Sequence, residues 1–171
     1  FQAAELKRMH KEFNEEVESI YGQDFGFSID PTVLIKVGIS KALKKIWIKT
    51  MYCKPGMSTQ EIGEANRRYA NDELIICDSA EPRLINELKG YCNIKPTIKR
   101  KGSILTGIAL LQDYDLIVDS SSIELIKELN NYVWHERNTK PIQKYDHHID
   151  SLRYCTQYFL ANANKGVYVI R

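Results

Sequence analysis

Residues 72 to 82 read DELIICDSAEP, and this stretch decides the fold. Leu74 to Cys77 form an apolar run without polar alternation, stopped by an acid at Asp78. Such a run predicts a short strand buried on both faces, as in a parallel sheet covered by helices. Pro82 suits the first turn of a helix and predicts one running to Gly90. Strand, acid and helix thus follow one another, with the acid at the carboxyl end of the strand.

The segments upstream are also strand-like. YGQDFGFS and TVLIKVGIS are rich in aromatic and β-branched residues and flank the turn signal Ile29-Asp30-Pro31. KKIWIKTMYC alternates Ile46, Ile48 and Thr50 with Trp47, Lys49 and Met51, as a third strand would. Ser58-Thr-Gln-Glu61 has the form of a capping box and predicts a helix through about Tyr69. At the start, Leu6, Met9, Phe13, Val17 and Ile20 recur at helical spacing, which predicts an amphipathic helix over residues 3 to 20.

Downstream, a basic loop leads into the helical pattern GSILTGIALLQ, and DLIVDS follows as another buried strand. Ser121-Ser-Ile-Glu124 has the form of a second capping box, opening a helix toward Tyr132. Residues 133 to 145 read as a polar loop or short hairpin. A helix from Asp146 to about Asn162 and a VYVI tail close the chain. Strands first, then alternating helices and strands, describe one mixed α/β domain with a central sheet.

A length of 171 residues, 43% hydrophobic and 27% charged, allows one globular domain with a sizeable core. The net charge of +2 gives no general attraction for nucleic acid, so a DNA-binding surface must come from local clustering. Cys53, Cys77, Cys92 and Cys155 form no C-x-x-C pair, which leaves buried reduced thiols as the simplest reading. No apolar run approaches membrane-spanning length and no signal peptide opens the chain. The first residue is Phe1 rather than Met, as in a piece cut from a longer protein.

Three acids stand in comparable places: Asp24 between Gly22 and Gly26, Asp78 after LIIC, and Asp150 one turn into the last helix. Each has a local explanation: Asp24 as a turn residue, Asp78 as a helix cap, Asp150 as a partner of Arg153. Together they suggest a site, because chemistry in open α/β sheets gathers at the carboxyl ends of strands. A central first strand beside LIIC would bring Asp24 to Asp78, and the last helix would add Asp150. Converging carboxylates suit hard, oxygen-seeking ions such as Mg²⁺ or Mn²⁺. His147 shares a helix face with Asp150 and is either a ligand or a surface residue. Asp146 is placed as an N-cap, and His148 on the surface.

YGQDFGFSIDPT, IICDSAEPRLINELK, KGSILTGI and DHHIDSLRY, in this order and spacing, resemble the carboxy-terminal nuclease domain of tailed-phage large terminase subunits. The resemblance covers about Tyr21 to Tyr154. It implies an RNase H-like fold over residues 21–171, with residues 1–20 as the end of an interdomain connection. It also implies metal-dependent cleavage of concatemeric double-stranded viral DNA during genome packaging, in the bacterial host cytoplasm. By motif, Asp24, Asp78 and Asp150 match the catalytic metal-binding carboxylates, His147 the accompanying histidine, and Asp30 a structural or supporting position. Two Mg²⁺ or Mn²⁺ ions are implied. The chain lacks the G-x-x-x-x-G-K-[ST] phosphate loop of the ATPase motor that family members usually carry.

Lys95, Lys99, Arg100 and Lys101 fall in a stretch, Ile94 to Gln112, without a single acid, and Arg137 and Lys140 precede the last helix. These six are either DNA-backbone contacts or solvated surface charges. Little affinity for DNA is expected from the near-neutral chain alone, so the motor domain, the small terminase subunit or the prohead portal would supply local concentration. Two other readings remain: an RNase H-like junction resolvase or recombinase, and a non-catalytic module docking on DNA or portal.

Overall fold

The computed structural model describes residues 17–99, 101–132 and 146–163. Six strands, β1 (Glu18–Asp24), β2 (Pro31–Ser40), β3 (Lys45–Pro55), β4 (Ile75–Cys77), β5 (Ile94–Pro96) and β6 (Asp115–Val118), form one sheet in the order β5-β4-β1-β2-β3-β6. The first three are antiparallel neighbours, while β4 runs parallel to β1, β5 to β4, and β6 to β3. The helices are α1 (Thr59–Ala70), α2 (Pro82–Leu88), α3 (Ser103–Gln112), α4 (Ile123–Asn131) and α5 (His147–Ala163).

Side chains alternate across the sheet and build two cores. Ile20, Val33, Ile35, Val37 and Ile76 point to the face covered by α3, α4 and α5, where they meet Leu111, Leu125 and Leu152. Tyr21, Leu34, Ile75 and Cys77 point to the other face and pack on Ile62 of α1 and Ile85 and Leu88 of α2. The sheet is therefore the middle of three layers. That is why LIIC carries no polar residue: both of its faces are covered.

α1 begins as its sequence predicts. The Ser58 hydroxyl accepts the Glu61 N–H while the Glu61 carboxylate accepts the Ser58 N–H, closing the capping box. The second predicted box does not form. Ser121 donates its hydroxyl and its N–H to Oδ1 of Asp119, and the Ser122 hydroxyl oxygen accepts the Thr50 N–H at 2.9 Å. Tethering α4 to the sheet takes the groups that capping would have used. The helix predicted over residues 3 to 20 falls mostly outside the described residues, and its last three positions, Glu18 to Ile20, are strand. Ile94–Pro96, read from sequence as loop, is the edge strand β5. Pro96, which has no N–H to give, is tolerated there. The tail and the 133–145 segment lie outside the described residues.

α5 lies across β1, β2 and β4. Its approach depends on Gly22: a Cβ there would meet the Ser151 carbonyl oxygen at 2.1 Å. Only glycine lets the helix backbone come this close to the strand. Among the described residues no helix is long and apolar enough to cross a membrane.

Candidate metal centre

The parallel pairing of β1 with β4 sets Gln23 opposite Cys77, so the next residues, Asp24 at the end of β1 and Asp78 just past β4, stand side by side. The Asp78 N–H donates to the Gln23 carbonyl at 3.1 Å and fixes this exit. Beneath it, Gln23, Tyr52 and Asn66 form a buried network, with Tyr52 Oη donating to Asn66 Oδ1 at 2.8 Å and Asn66 Nδ2 to Gln23 Oε1 at 2.9 Å. A satisfied buried network of this kind holds the end of β1 in one position. α5 then brings His147 and Asp150, three residues apart, over the carboxyl ends of these two strands.

Asp24 feels both of the other aspartates. Asp24 is 8% exposed, and its carboxyl is pushed up from 3.8 to about 6, chiefly by burial, with the charges of Asp150 and Asp78 adding to the rise. His147 opposes the shift through a 2.9 Å contact between its Nδ1 and Asp24 Oδ2. That hydrogen bond raises the His147 pKa in turn, against the effect of burial. Asp146, beside the cluster, is also raised, first by burial and then by Asp150.

Each acid also has a cationic or hydrogen-bonding partner. Lys99 Nζ lies 2.5 Å from Asp78 Oδ1, which also accepts the Ala80 N–H at 3.1 Å. Arg153 reaches Asp150 Oδ1 through Nε at 3.2 Å and a terminal nitrogen at 2.5 Å. The Tyr154 hydroxyl donates to Asp150 Oδ2 at 3.1 Å, and burial together with Asp150, Asp24 and Asp78 pushes its pKa upward. With these partners in place, no three His, Cys, Asp or Glu side chains among the described residues are arranged to hold a metal ion. The donor set nonetheless fits a hard divalent cation: three carboxylates, one of them desolvated and unfavourably charged, and one imidazole.

Of the residues singled out in sequence, Asp24, Asp78, Asp150 and His147 come together at the carboxyl ends of β1 and β4. Asp30 is exposed and reaches the rim of the site, 4.0 Å from His147 Nε2. Lys99 is in the site itself, Lys95 is exposed on β5, and Lys101 is exposed before α3. Arg100, Arg137 and Lys140 lie outside the described residues. His148 corrects the sequence reading: it is 1% exposed, with Nδ1 2.6 Å from Glu128 Oε1.

Glu128 was not anticipated. From α4 its carboxylate also accepts the N–H groups of His148 at 2.9 Å and Ile149 at 3.2 Å, capping α5 from a neighbouring helix. The signal was an acid three residues after Leu125 on the apolar face of its helix, where an unpaired charge is costly.

An antiparallel β1–β3 meander extended by parallel β4 and β5, with acids at the ends of β1 and β4 and a third on the closing helix, defines an RNase H-like α/β domain. The chain belongs to the terminase RNase H-like domain family, whose model matches residues 24–157. Its fold is similar to the large terminase nuclease domain of bacteriophage SPP1, solved with bound Mn, with a TM-score of 0.73 and 25% identity over 93% of this chain and 92% of that one. The nuclease domain of the P22 large terminase matches with a TM-score of 0.68 and 16% identity over 86% of this chain and 83% of that one. The large terminase nuclease of thermophilic phage G20c, solved with bound magnesium, matches with a TM-score of 0.56 and 15% identity over 85% and 83%. No curated protein matches the chain by sequence.

Proposed function

We propose that this chain is the metal-dependent endonuclease domain of a phage large terminase, cutting concatemeric double-stranded DNA during packaging. The observation that carries the reading is the buried Asp24 carboxylate, raised to about 6 beside Asp78 and Asp150 at the carboxyl ends of β1 and β4. A charge so disfavoured by its surroundings is the place for a cation to bind. The SPP1 and G20c relatives with bound Mn and magnesium support the choice of Mn²⁺ or Mg²⁺.

In this reading Asp24, Asp78 and Asp150 would hold two ions, with His147 as the nitrogen donor. Such ions would supply an activated water and stabilise the leaving oxygen of a phosphodiester. The chain positions these donors: the β1–β4 pairing sets the spacing of Asp24 and Asp78, and the Glu128 cap sets the first turn of α5. His147 Nδ1 orients the Asp24 carboxylate. Lys95, Lys99 and Lys101, with Arg100, Arg137 and Lys140, draw the DNA backbone without reading bases. An ATPase motor domain of the same subunit, the small terminase subunit and the portal would raise the local concentration of DNA in the host cytoplasm.

Incubation of supercoiled plasmid with Mn²⁺, Mg²⁺ or EDTA tests this. Metal-dependent linearisation that Asp78→Ala slows by at least about a thousandfold is expected, since several kcal/mol of charge stabilisation is lost. Cleavage in EDTA, or at the native rate in Asp78→Ala, overturns it.

A further inference from the structure

A hollow of about 120 Å³ opens beside Asp150, several times the space one water needs, between the 97–99 exit of β5, the start of α3 and the 150–157 stretch of α5. Its lining includes Lys99, Arg153, Ser103, Tyr154 and Gln157. Two of these are the cations that occupy the candidate metal carboxylates. We propose that this hollow seats one phosphate of the DNA backbone, and that Lys99 and Arg153 leave Asp78 and Asp150 for that phosphate, so that DNA binding frees the carboxylates for metal. The proposal rests on the metal-site reading above and adds the order of events at that site.

Four features favour the exchange. Arg153 spends two nitrogens on the single oxygen Oδ1 of Asp150, whereas the guanidinium fork matches two anionic oxygens of a phosphate. Lys99 and Arg153 each stand 5.5 Å from the Tyr154 ring, a shared platform within the hollow. Arg153 is only 3% exposed and its stem is confined: a Cβ on Gly107 of α3 would meet Arg153 Cδ at 3.1 Å, so the guanidinium can swing only locally. The start of α3, whose N-cap Gly102 brings no side-chain hydrogen bond to the first turn, borders the same hollow through Ser103 and Ile104 and is held to α5 by the bond from Gln157 Nε2 to the Ser103 carbonyl at 2.5 Å. Two of the three aspartates, Asp78 and Asp150, are thus paired with the protein's own cations when DNA is absent. Phosphate and metal binding then reinforce one another by linkage.

The test uses the 171-residue chain and Lys99→Ala, whose half-exposed side chain makes folding safe, with Arg153→Gln as a second variant checked by thermal unfolding. Mn²⁺ is titrated calorimetrically without DNA, and a short fluorescent duplex is titrated in EDTA. Lys99→Ala is expected to bind Mn²⁺ more tightly, by about threefold or more, because a competing ion pair is gone. It should bind the duplex more weakly. With duplex saturating and Ca²⁺ as the ion, wild type and variant should converge, because DNA has already withdrawn Lys99. Unchanged or weaker Mn²⁺ binding in Lys99→Ala overturns the exchange, as does an advantage that persists with DNA bound. Mn²⁺ affinity unaltered by Asp78→Asn would instead overturn the metal-site reading itself.

Discussion

The burial of Asp24 makes a prediction against ordinary intuition: removing this charge should stabilise the metal-free protein. The Asp24 carboxyl titrates near 6 when folded, against an ordinary 3.8. The folded state therefore binds the proton more tightly between these values. Stability falls as pH rises through that window and stays low above it. The full difference corresponds to about 3 kcal/mol at neutral pH. Asp24→Asn keeps the shape and removes the charge, and the opposing pull of His147 is already contained in the value near 6. Urea unfolding in EDTA at about pH 8 should show the variant more stable by about 3 kcal/mol, with most of the gain gone near pH 4. Mn²⁺ at a thousand times Kd should reverse the order, because the wild type then gains about 4.1 kcal/mol that the variant lacks. A variant less stable than wild type in EDTA at pH 8, or a gain independent of pH, would refute this reasoning.

Other consequences follow from particular contacts. Glu128→Ala leaves two N–H groups at the start of α5 and buried His148 without their acceptor, and should cost about 2–3 kcal/mol in chemical unfolding. Gly22→Ala drives a methyl into the Ser151 carbonyl and should cost about 2 kcal/mol or more; cleavage by the folded fraction should also fall, because α5 carries Asp150 away from Asp24. Cys77 and Cys155 are buried thiols, Cys77 pushed up to about 12 and Cys155 raised as well, so both should resist thiol reagents until the protein is unfolded, as a timed titration would show.

The sequence showed most clearly the features that rest on local physics. The apolar run before Asp78 marked a strand covered on both faces, and the Ser58–Glu61 pair marked a helix start that the structure reproduces bond for bond. The neighbourhood of Asp24 and Asp78 followed from placing the first strand beside LIIC, which the register shows. Tertiary competition was not legible. Ser121 and Ser122 have the letters of a capping box but serve Asp119 and the β3 edge instead. His148 looked like a surface residue because its acceptor, Glu128, comes from another helix. The three-residue β5 is too short to carry a periodic signal, and its pairing comes from β4. The counter-ions were half visible: Arg153 could be paired with Asp150 by spacing, whereas Lys99 reaches Asp78 only because β5 joins the sheet edge.

The most direct measurement is anomalous diffraction from crystals soaked in Mn²⁺. Peaks ligated by Asp24, Asp78 and Asp150, with Lys99 or Arg153 displaced from its carboxylate, are the predicted result. Manganese bound elsewhere, or no peak while all three carboxylates keep their present partners, would contradict the account.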